Sequence, residues 1–411
     1  MSMKSDVFFD LTELFIASSK FKYYGIAKVV AEIAIELSRI NSGARYVIYS
    51  PGHQDFFEIL PMISPSEEAS EINLNIPLQT SPLWVRTSSS FFTLMVTAIF
   101  RQINLYRWKK AGMSLNGVNL SNSYLISAGR PKFIADYLNT LTKKHAGVKL
   151  VPFLHDVLPL MNYGKNKKNN FTQAFLEDNS VVINASYLIT CNSYFTKIEI
   201  EKCQSMGLLP SRKIHVVQLA HECRNGNDTP SIQFPSAPYF LCVGSTIGRK
   251  NVECAIKALL ELTQKGDETS QLVLAGVQRK RITKYLQSDQ FAAIKERIIF
   301  INNPHQTDLV RLYKNAIALI LPSKAEGWGL PAGEALWLGI PALCANIPVL
   351  KEVCGQLGLY FSPDSPKELA DWMSKLLNDQ DFAHSQRRLI GEHHKELRTW
   401  RNVAEDLMLI F

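Results

Sequence analysis

The chain has 411 residues, of which 46% are hydrophobic and 20% charged, which is too long for one ordinary core and fits a soluble globular protein of two or more domains. No window holds the roughly eighteen consecutive apolar residues of a membrane span, and the start MSMKSDVFFDLTELF lacks the basic, apolar and small-residue succession of a signal peptide, so a cytoplasmic location is expected. The net charge of +8 points to an anionic small substrate, an anionic membrane surface or nucleic acid, and most of it sits in residues 1–230, with 24 Lys/Arg against 18 Asp/Glu.

In chain order, apolar residues at helical spacing in KVVAEIAIELSRI (28–40) predict the first clear helix, just after Gly25, and YVIYS from 46 predicts a strand. The next segment, SPLWVRTSSSFFTLMVTAIFRQINLYRWKKAGM (81–113), joins a ten-residue apolar run to Arg101, Arg107, Lys109, Lys110, Tyr106 and Trp108. It reads either as a basic and aromatic helix on an anionic membrane, with KNKK at 165–168 adding to that face, or as a core helix with a solvated basic end. Further strand-like runs follow: SYLISAG from 123, VKLVPFLHD from 148, SYLITCNS from 186 and IHVVQLAH from 214. A polar stretch, CRNGNDTPSIQFPSAPYF (223–240), then marks the break between a domain at 1–230 and one at 231–395.

Beyond the break come YFLCVG from 239, QLVLAG from 271, RIIFINN from 297, AIALILPS from 316 and IPALCAN from 340, alternating with helical patterns such as NVECAIKALLEL (251–262). Alternation of this kind predicts parallel sheets covered by helices, hence two Rossmann-like domains facing across a cleft. The segment 396–411 reads as an amphipathic helix, with Trp400, Val403, Leu407 and Ile410 aligned. Seven cysteines form no C-x-x-C pair and lie mostly in apolar runs, so neither a disulfide framework nor a zinc site is expected.

Two stretches of the second domain carry chemistry. In YFLCVGSTIGRKN a strand ends at Val243, a loop with Gly244 and Ser245 follows, and a helix begins near Asn251; exposed N–H groups and the helix start favour an anion there. Arg249 and Lys250 add two positive charges at the same junction, which suits phosphate oxygens. In SKAEGWGLPAGEALWLGIP (323–341), Pro331 suits the start of a helix running to about Leu338. Glu334 is then expected in its first turn, where the helix dipole alone favours an acid, whereas Glu326 has no such local reason. Carboxylates accept hydrogen bonds from hydroxyls, so two acids beside a diphosphate site imply a nucleotide-sugar.

The GSTIGRKN loop, the E-x7-E pattern EGWGLPAGE and the run ANIPVLKEVCGQLGLYFSPDSPKELADWMSKLL (345–376) resemble the retaining GT-B glycosyltransferases of family GT4. The resemblance implies the GT-B fold, with Arg249 and Lys250 on the donor diphosphate, Glu334 on the ribose diol and Glu326 on hydroxyls of the transferred sugar. Backbone groups of Gly327, Trp328, Gly329 and Leu330 would approach the donor closely. FKYYGIAKVVAEIAIEL resembles the family's first loop, with Gly25 facing the donor phosphates, and GVKLVPFLHDVLPL its strand-end HD element, with His155 beside the sugar and Asp156 anchoring the loop. SYLITCNSYFTKIEIEK resembles its S-x-x-(S/T)-K junction. Departures are VVQLAHE (216–222), where relatives often have a glycine and this chain has Ala220 and His221, and the lack of an acid-proline pair before Arg249.

By the same resemblance the terminal helix packs back on the first domain and the leaving phosphate takes the acceptor's proton in same-face transfer; with no acidic D-x-D-like element beside the donor stretches, no metal or other cofactor is expected. GDP-mannose is the preferred donor and a saccharide or lipid-linked precursor of bacterial O-antigen, capsule or exopolysaccharide the preferred acceptor. A sugar-nucleotide epimerase or hydrolase on the same scaffold, or a non-catalytic interaction protein, are the alternatives. A nicotinamide dehydrogenase fails for want of G-x-G-x-x-G with a following acid, and only 81–113 approaches a nucleic-acid surface.

Overall fold

Short β-rich runs become strands, and the 3.6-periodic segments between them become the helices that cover the sheets. The computed structural model describes residues 5–16, 25–51, 53–64, 71–77, 91–111, 117–161, 170–226, 229, 231–244, 247–276 and 280–411. Its chain divides into one compact unit of Met1–Asn192, Thr196–Val217 and Ala404–Phe411, and a second of Ser193–Phe195 and Gln218–Val403.

The first unit is built on strands β1 (Val7–Asp10), β2 (Arg45–Ser50) and β3 (Asp55–Ile59), a small hairpin of β4 (Met62–Ile63) and β5 (Ile72–Asn73), and strands β6 (Tyr124–Ser127), β7 (Lys149–Leu154), β8 (Ile189–Cys191) and β9 (Ile214–Val216). The main sheet runs β3-β2-β1-β6-β7-β8-β9, parallel throughout except for the antiparallel edge strand β3. Its helices are α1 (Thr12–Ile16), α2 (Ile26–Arg39), α3 (Phe91–Lys110), α4 (Pro131–Lys144), α5 (Asn170–Ala185) and α6 (Tyr194–Ser205), the last shared with the second unit at its first residues.

Helix α3 has one buried and one exposed face. Trp108 is buried against Phe15, His53 and Phe57, with ring centroids at 5.6, 4.7 and 5.5 Å, and Asn104 one turn earlier is buried with it. Met95, Ile99, Ile103 and Tyr106 fall at helical spacing on an exposed face, followed by exposed Lys109 and Lys110. Trp108 thus anchors the helix to the core and does not belong to the open face. The KNKK run at 165–168 lies outside the described residues.

The second unit holds β10 (Tyr239–Val243), β11 (Gln271–Ala275), β12 (Ile298–Ile301), β13 (Leu319–Leu321), β14 (Ala342–Ala345) and β15 (Gly358–Phe361), all parallel, in the order β12-β11-β10-β13-β14-β15. Its helices are α7 (Val252–Gln264), α8 (Lys280–Tyr285), α9 (Gln306–Asn315), α10 (Leu330–Trp337), α11 (Pro348–Cys354), α12 (Pro366–Asn378) and α13 (Gln380–Glu392), and α14 (Trp400–Met408) starts in this unit and passes into the first at Ala404. Phe240, Leu272, Leu274, Ile320 and Leu343 from the strands meet Ala255, Leu259 and Leu262 of α7 and Leu369 and Met373 of α12 in the core. The winding reverses between β10 and β13, and an open parallel sheet binds ligands outside the carboxyl ends of its strands at such a reversal.

All seven cysteines are free and buried. Among the described residues no helix is long and apolar enough to cross a membrane. Trp400, Val403 and Leu407 are buried along α14, Ile410 is only half-buried, and Ala404–Phe411 group with the first unit, where the Phe411 ring lies 4.6 Å from that of Tyr124.

His221 takes a defined place in the second unit. Its Nδ1 accepts from the Arg398 N–H at 3.1 Å, so the proton is on Nε2, which donates to the Val353 carbonyl at 2.8 Å. A Cβ added at Gly333 would come within 3.2 Å of the His221 Cα, so this glycine permits α10 to lie against the His221 backbone. Burial, with help from the Arg398 charge, holds the His221 imidazole below the ordinary histidine pKa. The unfolded chain therefore binds the extra proton first as pH falls. This contribution to stability is complete above about pH 6.5 and is lost as pH drops from there toward the folded-state value. In urea titrations between pH 8 and 5, the wild type should lose more stability than His221→Gln, whose amide can keep both bonds without titrating; parallel pH profiles would refute this account.

Candidate functional site

The carboxyl ends of β10 and β13 bring the two chemistry-bearing stretches of the second unit together. After β10, Gly244 takes φ +77° and its N–H donates to Ala275 O at 2.8 Å, turning the chain out of the sheet. Ser245, expected at a donor, lies outside the described residues. Gly248 (φ +93°) and Asn251 (φ +53°, left-handed) shape the turn into α7, and the Asn251 N–H donates back to Gly248 O at 2.9 Å.

Three bonds then stitch this loop to the one after β13. Asn251 Nδ2 donates to Pro322 O at 3.0 Å, and also to Pro363 O at 2.8 Å, the Lys324 N–H donates to Arg249 O at 2.9 Å, and Arg249 Nη1 donates to Ala325 O at 2.7 Å. Asn251 was not among the residues singled out from sequence. Its signal was there, since an asparagine closing G-R-K-N is among the few side chains that tolerate a left-handed turn while bonding neighbouring backbone.

Glu326 sits where the stitched loops meet, only 6% exposed. Lys250 Nζ donates to its Oε1 at 2.7 Å and Arg249 Nη1 to its Oε2 at 3.1 Å. Burial pushes the Glu326 carboxyl up, but the Lys250 and Arg249 charges outweigh burial and hold it below the usual carboxylate pKa. A small depression beside the triad is lined by Cys242, Val243, Gly244, Lys250, Val252, Ile320, Leu321, Pro322 and Ser323. It lies over the β10 and β13 ends.

The GWG turn follows. Gly327, Trp328 and Gly329 are buried; Gly329 takes φ +106°, and a Cβ there would reach within 2.5 Å of Leu350 Cδ2. The Trp328 ring is buried, 6.1 Å from that of His221. Helix α10 begins at Leu330, which puts Glu334 at its fifth residue; no acid occupies the first turn. This corrects the expected first-turn position, and with it the helix-dipole explanation loses force, because the dipole's effect is confined to that turn. Glu334 is 4% exposed and its Oε2 accepts from the buried Tyr313 hydroxyl at 2.9 Å.

His155 and Gly25 belong to the first unit. His155 follows β7; its Nε2–H donates to Ala128 O at 2.7 Å, and burial depresses its pKa. Asp156 Oδ1 accepts from Leu158 N at 3.1 Å, which anchors that loop. Gly25 precedes α2 with φ +60° and ψ −128°, exposed, with nothing within 4 Å of an added Cβ. Sequence reasoning missed the acids around the β1 and β6 ends. Asp10, fully buried, accepts from Thr12 N (2.8 Å), Ser127 Oγ (2.7 Å) and Tyr137 OH (2.8 Å), and burial raises its pKa against these bonds. Glu13 accepts from the Arg130 N–H, Nε and Nη2 at 3.0, 2.9 and 2.7 Å.

Residues 228–395 match the family model described as glycosyl transferases group 1. Over 178 residues, 42% of this chain, the sequence is 29% identical to the serotype-specific mannosyltransferase WbdA of Escherichia coli; over 144 residues, 34% of this chain, it is 31% identical to the O-antigen chain mannosyltransferase RfbU of Salmonella typhimurium. The matched segments cover 21% and 38% of those relatives' lengths. Among solved structures, a sucrose-phosphate synthase from Thermosynechococcus elongatus superposes with TM-score 0.63 at 14% identity, covering 99% of this chain and 98% of that one. Anabaena HepE in complex with UDP-glucose gives TM-score 0.62 at 13% identity over 99% of both chains. The fold is GT-B, two Rossmann-like halves.

Lys250→Ala leaves the buried Glu326 charge with the more exposed Arg249 alone and should destabilise the protein by about 1–3 kcal/mol in urea unfolding. Glu326→Gln removes the buried charge and keeps an acceptor, so its loss should be smaller. The reverse order would show that the triad does not hold the loops.

Proposed function

We propose that this chain, whose residues 228–395 belong to the group 1 glycosyl transferases, is a retaining glycosyltransferase that moves a hexose from a nucleotide-diphosphate sugar to a saccharide or lipid-linked saccharide. The observation that carries the reading is the Glu326 triad with Lys250 and Arg249 at the sheet's reversal point, one turn of chain from the buried Glu334. Cations, a carboxylate pair and close-approaching glycine backbone in one place match a ligand with a negative centre and hydroxyl-bearing ends. On this reading Arg249 and Lys250 stabilise the charge that develops on the leaving diphosphate, where fixed cations contribute most. Glu326 orients the transferred sugar, Glu334 takes the ribose diol, and Gly244 with the Gly327–Leu330 backbone frames the donor. Ser245, Gly25 and His155 keep the donor- and sugar-facing roles that the family resemblance implies. The proton of the acceptor passes to the leaving phosphate, so no protein base or metal is assigned a step.

GDP-mannose is the preferred donor and bacterial surface polysaccharide, O-antigen above all, the preferred pathway, in keeping with the mannosyltransferase names of WbdA and RfbU. The enzyme is placed in the cytoplasm, on the inner face of the membrane. Support for the membrane contact comes from α3, where the exposed stripe of Met95, Ile99, Ile103 and Tyr106 runs into Lys109 and Lys110. An apolar face flanked by lysines suits an anionic bilayer surface. Vesicles with anionic lipid should sediment the protein at low salt, and Lys109→Glu/Lys110→Glu should leave it in the supernatant; equal sedimentation of both would remove the membrane from the reading.

The class and the donor are tested together by thermal unfolding with a panel of nucleotide-sugars. A donor at 100 times its Kd stabilises by about 2.7 kcal/mol, enough for a clear shift. Arg249→Ala/Lys250→Ala should abolish both the shift and transfer. No shift with any nucleotide-sugar, or ordinary turnover by the double variant, would sink the assignment, and donor consumption without an acceptor product would favour the epimerase or hydrolase alternative.

A further inference from the structure

Tyr313 lies near the end of α9, the helix that leads into β13, and its side chain is fully buried. The end of this helix is fixed from two directions: the Tyr239 hydroxyl donates to Leu312 O at 2.8 Å, and the Ala316 N–H donates to Tyr313 O at 3.0 Å. The Tyr313 ring therefore has a set position, and its hydroxyl donates to Glu334 Oε2 at 2.9 Å from the helix on the other side of β13.

The last torsion of a glutamate is broad and roughly two-fold, so burial of the stem alone does not orient the carboxylate plane. A cis-diol is gripped by a carboxylate only when both oxygens face it in that plane. We propose that Tyr313 is a positioning residue for nucleotide selection, its hydroxyl fixing the Glu334 carboxylate in the orientation that accepts from both hydroxyls of a ribose. The inference rests on the proposed assignment of Glu334 to the ribose. It adds a residue that touches neither sugar nor phosphate and acts only through Glu334.

Tyr313→Phe removes the one hydroxyl and keeps the ring in the core. Binding of GDP and 2′-deoxy-GDP, and of UDP and 2′-deoxy-UDP, is measured by calorimetry for wild type, Tyr313→Phe, Glu334→Gln and the double variant. For the nucleotide that binds, wild type should prefer the ribo form by about 10- to 100-fold, the span of a hydrogen bond to a charged group. Tyr313→Phe should lower that preference several-fold while leaving kcat with saturating donor near the wild-type value. The double variant should be no less selective than Glu334→Gln alone, since both changes act on one contact. A merely structural tyrosine would weaken ribo and deoxy forms alike. An unchanged ratio or an equal loss for both forms in Tyr313→Phe overturns the inference while Glu334 keeps its role. A wild type blind to the 2′-hydroxyl overturns the ribose assignment itself, and this inference with it.

Discussion

The second unit depends on how a buried carboxylate is kept charged. An ionised glutamate out of water is unfavourable by several kcal/mol unless it is paired and hydrogen-bonded. Glu326 is paired twice, by Lys250 and by Arg249, from a loop 76 residues earlier in the chain. That pairing requires the β10 and β13 loops to meet, and they meet because β10 and β13 are neighbours in the sheet. Asn251 in its left-handed turn, with Nδ2 on Pro322 O, and the Lys324 to Arg249 backbone bond hold the loops in register before any ligand is considered. Sheet order, turn conformation and ion pairing thus support one another, and a failure in any of them would expose Glu326 as an uncompensated charge.

The parts of this arrangement that were legible in the sequence are those in which charge stands out from its setting. Arg249, Lys250, Glu326 and Glu334 occur amid glycine and apolar residues, so each stood out as a chemical question. Residues that hold them in place were not legible, because their types are ordinary where they sit. Tyr313 on an amphipathic helix reads as core, and it is core; only the geometry shows that its hydroxyl ends on Glu334. Glu334 reads as a first-turn residue because Pro331 marks a helix start, but the helix begins one residue earlier, at Leu330, with Gly329 as its left-handed cap, and Glu334 falls just past the first turn.

The fold shows the same division. Runs such as YVIYS, QLVLAG and AIALILPS read as strands, while β1 (VFFD) and β15 (GLYF) do not stand out from the sequence around them. Yet β1 lies inside its sheet, and its last residue, Asp10, ties three segments together through Thr12 at the start of α1, Ser127 at the end of β6 and Tyr137 within α4. Helix α3 is ambiguous in sequence for a sound reason: it packs one face through Asn104 and Trp108 and leaves another open through Ile99, Ile103 and Tyr106. Composition along a segment cannot separate faces that three-dimensional packing assigns individually.

The triad also constrains what the site accepts. Its two cations share one partner, so an incoming anion meets a site in which Glu326 already balances one of the two positive charges. A bare diphosphate that drew Lys250 and Arg249 away would leave Glu326 buried and unpaired, and that penalty offsets the new contacts. A ligand that also carries hydroxyl donors to Glu326 removes the offset, because the carboxylate exchanges one set of donors for another. On the proposed reading, selection of a sugar-bearing diphosphate over the bare one follows from the ion pair itself. On that reading the carboxylate that ties the β10 and β13 loops together also sets the condition a donor must meet to replace its partners.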